Sequence, residues 1–442
     1  MMRVHLAVFL CAIALLGAGV GPAFAQAPQA VSLEEAVATA LQRHPTLAAS
    51  TKSLEAAQAR LVQARAGNAL QVGLNGTTAI GTLSATGTPT SGGASVTHNV
   101  SVGASLPLFD GGERAAQITQ AEAGVVSAQA ALEATRQDIA LAAAEAYFAV
   151  LRAMRVVEVR EGALQSARRQ VEQAEALVRA GTAARADVIR AQSVAASAEA
   201  DLITARGAVE LSLASLRNAI GISITQLIAV REPPEIPVAE VPPAEAAAEA
   251  VRARPEIRRV QSEVVSSQAA LRIAEIRSGL NVSAAANSSV QVSPNPGQIG
   301  WSISTSVSLP IADGGRARAA VEEARANLDA ARARAEATAQ QIQLEGFQAA
   351  LTIQQTRARL EAVRVAAAAA EESLRVADGR YRAGVTILLE VLDAQVAATQ
   401  ARVNLVQTES DLRLAAFTLR HALGRPVLPS AQSALSTQST RP

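Results

Sequence analysis

The segment QIGWSISTSVSL, from Gln298, alternates strictly. Ile299, Trp301, Ile303, Val307 and Leu309 fall on one template and Ser302, Ser304, Ser306 and Ser308 on the other. Period two is the signature of a strand with two unlike faces. The run before it sets Leu280, Val282, Ala284, Ala286, Val290 and Val292 against Asn281, Ser283, Asn287, Ser289 and Gln291. Earlier in the chain, Val96, Val100, Val102, Ala104 and Leu106 alternate with Thr97, Asn99, Ser101 and Ser105, and Val72, Leu74 and Ile80 form a weaker run. The pattern predicts strands over about 70–82, 96–106, 280–292 and 299–309.

The period then changes to seven. Ile118, Val125, Leu132, Ile139, Ala146 and Ala153 share one register; Ala121, Ala128, Thr135, Ala142, Ala149 and Val156 follow three positions on. Val321, Leu328, Ala335, Ile342 and Ala349 repeat the pattern later. No proline interrupts Glu113 to Ala180, so one helix of roughly 100 Å is predicted there at ~1.5 Å per residue. Heptads of small residues predict helices packed closely at shallow angles. Phe148, Leu151 and Val157 lie outside the heptads and predict contacts on a second flank.

Each passage from period two to period seven carries one motif, LPLFDGG from Leu106 and LPIADGG from Leu309. Pro107 and Pro310 lack a ladder donor and should help to end pairing. Asp110 and Asp313 can cap the next helix, while Gly111, Gly112, Gly314 and Gly315 permit a sharp redirection. Each long helix ends at a second motif, Arg179-Ala180-Gly181 or Arg382-Ala383-Gly384. The glycine there suits a tight turn into a returning helix, at the end farthest from the strands.

These motifs lie on one ruler. Leu106 and Leu309, Gly181 and Gly384, and Gly221 and Gly424 are pairs with one constant spacing. Pro45 with Pro255 and Gln58 with Gln268 share a slightly longer one, the difference falling in the Gly/Thr/Ser-rich stretch TLSATGTPTSGGAS. An internal repeat follows: a first unit over 26–221, a Pro-rich connector over 222–243, a second unit over 244–424, and a polar tail over 425–442 predicted to be disordered. Residues 1–25 have a basic start, an apolar run and a small-residue end, the grammar of a cleaved secretory signal.

The mature chain would lose Cys11, the single cysteine, and the four histidines show no metal-ligand spacing. No nucleophile, base and orienting group fall into a known catalytic pattern, so neither an enzyme nor a cofactor is expected. A net charge of +1, evenly spread, offers no patch for nucleic acid. Aromatic residues are only 2% of the chain, too few for several large globular cores and compatible with long packed helices.

The polar sides of the hairpins are Ser, Thr, Asn and Gly with hardly a charge. Strands of ~9–11 residues with one apolar and one uncharged polar side suit a membrane barrel with a wet lumen. A sheet edge cannot stand in lipid, and spanning barrels begin at about eight strands, so four strands must be completed by other subunits. A dimer, trimer or tetramer satisfies this equally. The competing reading is amphipathic hairpins over a water-soluble core.

Together with SLEEAVATALQRHPTL near the start and RYRAGVTILLEVLDAQ at the second turn, the two DGG motifs make the chain resemble the TolC-type outer membrane factor family. The resemblance covers nearly the whole mature chain. It implies a mixed α and β membrane protein. An all-α helical-hairpin tunnel would join a four-strand contribution to a shared trimeric transmembrane β-barrel. It also implies a homotrimer in the outer membrane of a Gram-negative bacterium, reaching into the periplasm. There it would meet a periplasmic adaptor protein and an inner-membrane pump.

The function implied is a passive exit duct for efflux or type I secretion; a periplasmic coiled-coil adaptor or scaffold is the alternative. By position, Asp187 and Tyr381 correspond to the family's gate, Glu390 and Asp393 to its acidic constriction, and the two Arg-Ala-Gly turns to the adaptor-docking tips. The resemblance places an arginine where this chain has Thr386, a place that Arg185 or Arg382 could fill.

Overall fold

The computed structural model describes residues 29–82, 94–234, 240–279, 281–292, 298–308 and 313–428. The expected signal segment, most of the Gly/Thr/Ser-rich stretch, Leu309, Pro310 and residues 429–442 lie outside them. The first part of the chain forms β1 (Gln29–Val31), α1 (Leu33–Arg43), α2 (Pro45–Ala66), β2 (Gln71–Thr82), β3 (Ala94–Phe109), α3 (Glu113–Arg179), α4 (Arg185–Ala219) and β4 (Ile228–Val230). The rest forms α5 (Pro243–Ala253), α6 (Pro255–Ser278), β5 (Asn281–Val292), β6 (Gln298–Ser308), α7 (Arg316–Arg382) and α8 (Leu388–Ala422).

One succession of elements thus occurs twice: broken helix pair, hairpin, long helix, shorter returning helix. The breaks have one cause. Pro45 and Pro255 open α2 and α6, and the residue before each, His44 and Arg254, is held extended, because a proline ring disfavours the helical region in its predecessor.

The four long strands form one antiparallel sheet in the order β2-β3-β5-β6, leaving β2 and β6 as edges. Next to it the helices pack in the order α2, α3, α6, α7; farther away α3 exchanges partners, giving α4, α3, α8, α7. Each layer is therefore an open row with two free sides.

The largest core sits where these rows exchange. Tyr147, Phe148, Leu216, Ile220 and Phe417 pack there against Leu33, Val37 and Ala40 of α1, with the Phe148 and Phe417 rings 5.3 Å apart. β1 and β4 pair in parallel across this core, β4 lying inside the stretch expected to be connector. The Tyr147 hydroxyl lies between them, donating toward the Val31 carbonyl at 3.0 Å and the Arg231 carbonyl and accepting from the Arg231 amide at 3.1 Å. Val427 and Leu428 are also buried in this core, so order continues past 425, where disorder was expected to begin. Two apolar side chains able to reach the core hold that segment down.

On α3 the deepest positions nearest the sheet are Ala116, Ala123 and Ala130, with Leu132 and Ile139 farther on. The period of seven is the expected one, but part of the register is not. The smallest side chains mark the closest approach, and they occupy a neighbouring column. On α7, Leu328, Ile342 and Ala349 are buried as expected. Gly346 lies against α5, where an added Cβ would stand 2.9 Å from the Ala246 carbonyl oxygen.

Candidate functional site

The candidate site has three parts along the long axis: the sheet, the junction below it, and the far turns. In the sheet, register places like residues in rows. Gln71 pairs with Ser105, Ser105 with Asn287 and Asn287 with Ser302; Asn75, Ser101, Gln291 and Gln298 form a second polar row. Between them runs Leu74, Val102, Val290 and Ile299. The register thus brings like residue types opposite one another across all four strands. Val72, Leu74, Val102 and Val307 are exposed, an unfavourable arrangement in water unless something apolar covers it. No described helix is long and apolar enough to cross a membrane.

At the junction, Asp110 accepts from the Gly112 amide at 3.0 Å and from the Arg114 amide at 2.9 Å. Asp313 accepts from Gly315 at 2.9 Å and Ala317 at 2.8 Å. Both carboxylates thus satisfy amides of the first helical turn, from two residues ahead of the glycine that serves as N-cap. Gly112 and Gly315 have φ of 92° and 85°, a region costly for any residue with a Cβ.

The junctions differ in their bracing. Arg114 also donates to Asp110 through Nε at 2.5 Å, and Arg277 of α6 pairs with Glu113 at 2.5 Å. Burial opposes ionisation of Asp110, but hydrogen bonds from Arg114 and Gly112 outweigh it and hold the carboxyl below its usual range. The Ala317 and Gly315 amides lower Asp313 as well.

Pro107 does not end its strand. It pairs with Ala285, and β3 continues to Phe109 through an irregular register. The reason is positional: β2 pairs no farther than Ser105, so beyond it β3 has one neighbour, and proline is tolerated at such an edge or bulge. Pro310 lies outside the described residues.

At the far end both turns close in the same way. Gly181 donates to the Val178 carbonyl at 3.0 Å and Thr182 to Leu177 at 3.0 Å; Gly384 donates to Tyr381 at 3.0 Å and Val385 to Arg380 at 2.9 Å. With φ of 74° at Gly181 and 72° at Gly384, these are Schellman caps. Arg179, Ala180, Arg382 and Ala383 complete the two turns. Above them Ala174, Ala191, Tyr381, Leu388 and Val391 unite the two helical hairpins in one cluster.

Tyr381 is buried there, its hydroxyl without a hydrogen-bond partner among the described residues. Burial and the charge of Asp187 raise its pKa, so the sequence-assigned pair is brought close without a hydrogen bond. Glu390 is held by Arg380 at 2.9 Å and by the Thr386 hydroxyl. Arg380, rather than Arg185 or Arg382, is therefore its cationic neighbour; Arg382 pairs with Asp378 at 2.6 Å. Asp393, one turn past Glu390, is exposed. Sequence reasoning missed Arg380 because its partner lies across the turn, ten positions away. It also missed Gln170, whose amide donates to Asp378 at 3.3 Å and joins α3 to α7.

The profile of the outer membrane efflux protein family matches residues 36–222 and 246–425. The outer membrane efflux protein BepC of Brucella suis biovar 1 is 25% identical over 336 residues, covering 74% of this chain and 72% of the relative. The outer membrane protein VceC of Vibrio cholerae superposes with a TM-score of 0.80 at 24% identity, over 90% of this chain and 97% of that one. The CmeC outer membrane channel of Campylobacter jejuni gives 0.81 at 15% identity, over 92% and 89%. The last two likenesses concern the fold. The two matched blocks meet the two runs of hairpin, long helix and returning helix described above, and this chain belongs to the outer membrane efflux protein family.

Proposed function

We propose that this chain is the outer membrane channel subunit of a tripartite efflux or type I secretion system. It forms a passive duct from periplasm to exterior, without catalysis. The observation that carries this reading is the open sheet with aligned polar and apolar rows, running directly into helices of 67 residues.

An open four-stranded sheet leaves unpaired backbone groups on β2 and β6, which lipid cannot satisfy. Three copies joined β6 to β2 would remove every edge and close a barrel with an apolar exterior against outer membrane lipid and a polar interior. The helical rows, equally open, would close below it into a tunnel. Pro107, Asp110, Gly111 and Gly112, with Pro310, Asp313, Gly314 and Gly315, mark the passage from barrel to tunnel in each half.

The periplasmic end would carry the gate. Asp187 and Tyr381 belong to its closed state, and Glu390 and Asp393 supply acidic charge at the constriction. Arg179, Ala180 and Gly181, with Arg382, Ala383 and Gly384, present the tips to a periplasmic adaptor protein that links the duct to an inner-membrane pump. A periplasmic adaptor as the chain's own role leaves the uncharged paired hairpins without a purpose and is disfavoured by the family.

The test is fractionation followed by electrophoresis with and without heating. A trimer in the outer membrane fraction that dissociates only on heating supports the proposal. A monomer in the soluble periplasmic fraction would sink it.

A further inference from the structure

A groove of about 660 Å³ lies over α6 in the half nearest the sheet and is lined by α3, α6 and α7. α3 and α7 flank α6 on opposite sides, and both reach this common hollow, as two outer members of a row do where the row curves around it. The groove therefore marks the concave side. No leucine, isoleucine, valine or aromatic residue lines it; Gly124, Ser127 and Ser267 are small, Gln120 and Asn327 are polar, and Glu263, Glu323 and Arg334 bring charge.

The α3 residues are spaced four and seven apart, which is one helical face. On α3 itself the groove side carries no charge, whereas the opposite side does: Glu122 pairs with Arg65 at 2.8 Å, Glu133 pairs with Arg258, and Gln129 between them is exposed. At the spacing that aligns the two halves of the sequence, Gln120 corresponds to Glu323 and Gly124 to Asn327, so α3 and α7 offer equivalent faces to the hollow.

We propose that this small-residue polar face is the wall of the duct in its membrane-proximal half, and that Gly124, Ser127 and Ser267 set its clearance for bulky solvated cargo. The proposal rests on the channel reading and adds which face meets the cargo. A wall with no large apolar group wets readily and gives an amphiphilic solute little surface to bury, so it passes cargo without retaining it. The ion-paired face of Glu122 and Glu133 is then the periplasmic exterior.

The test uses the full-length chain with Cys11→Ser and one added cysteine: Gly124→Cys, Ser267→Cys or, on the other face, Gln129→Cys. A Cβ at Gly124 meets nothing within 4 Å, so that variant is expected to fold; Ser267→Cys is an independent second probe. The reagent is a maleimide on a hydrophilic polymer too large for general diffusion porins, applied to intact cells. The expected result is a gel shift of Gly124→Cys and Ser267→Cys in intact cells, with Gln129→Cys shifting only once the outer membrane is permeabilised. A shift of Gln129→Cys in intact cells, or none of the groove cysteines before permeabilisation, would overturn the assignment. The channel reading is judged separately, by whether the same variants appear as heat-labile trimers in the outer membrane.

Discussion

Two buried tyrosines should respond oppositely to loss of one oxygen atom. The Tyr147 hydroxyl engages the Val31 carbonyl and both backbone groups of Arg231. Tyr147→Phe keeps the ring, and with it the packing against Phe148, but removes the donor to the Arg231 carbonyl and one of two donors to the Val31 carbonyl, which the Arg231 amide still reaches at 3.3 Å. A net hydrogen bond is worth about 1 kcal/mol, and Arg231 is exposed, so water can reach its carbonyl; a loss of about 1 kcal/mol is therefore expected in the β1–β4 pair. The Tyr381 hydroxyl is buried with no partner among the described residues; Tyr381→Phe removes an unsatisfied group and should be neutral or slightly stabilising.

Hydrogen exchange of the assembled protein measures both locally. Tyr147→Phe should speed exchange of the amides around Val31 and Arg231 by roughly five-fold, since 1.4 kcal/mol is tenfold. Tyr381→Phe should leave exchange in the last turns of α7 unchanged or slower. Unchanged exchange in the first variant would refute the hydroxyl as a clasp. Faster exchange in the second would show that Tyr381 gains a partner from another copy.

Gly346→Val should cost about 2–3 kcal/mol by overpacking, since its Cβ would stand 2.9 Å from backbone; loss of the heat-labile trimer at moderate temperature reads it out. Because Asp110 and Asp313 titrate below the ordinary aspartate value of about 3.9, their caps are fully present above that value. They are lost only as pH falls through the lower folded pKa. Amide protection at Gly112, Arg114, Gly315 and Ala317 should therefore persist near pH 4 and vanish in stronger acid. Arg380→Gln should change stability by less than about 1 kcal/mol, as the pair is half exposed. It should also make conductance more cation-selective by freeing Glu390; unchanged selectivity would remove Glu390 from the passage.

Long periodic stretches were legible because each residue added to one signal. The strands extend at most a few residues beyond or short of their expected ends, and α3 begins at Glu113 and stops at Arg179 beside its expected limits. Short or long-range features were not. Three residues of β1 and three of β4 carry no periodicity, and the hydroxyl lying between them is more than a hundred positions from Val31. Pro107 inside β3 defeats a local rule because the absent neighbour that permits it belongs to another strand. At the tips, the acidic and aromatic positions could be assigned by resemblance, but the cation beside Glu390 could only be found by folding the turn.

The matched helices fix the level of the far rim. α3 and α7 are each 67 residues, and α4 and α8 are each 35, so the two turns lie the same helical length beyond their Gly-Gly junctions. One residue inserted into α3 alone would advance its turn by ~1.5 Å and rotate it by ~100° relative to its twin. A docking partner would then meet a stepped and mis-phased rim. Length in these helices is therefore a specification held jointly by both halves: an insertion is tolerable only as a pair.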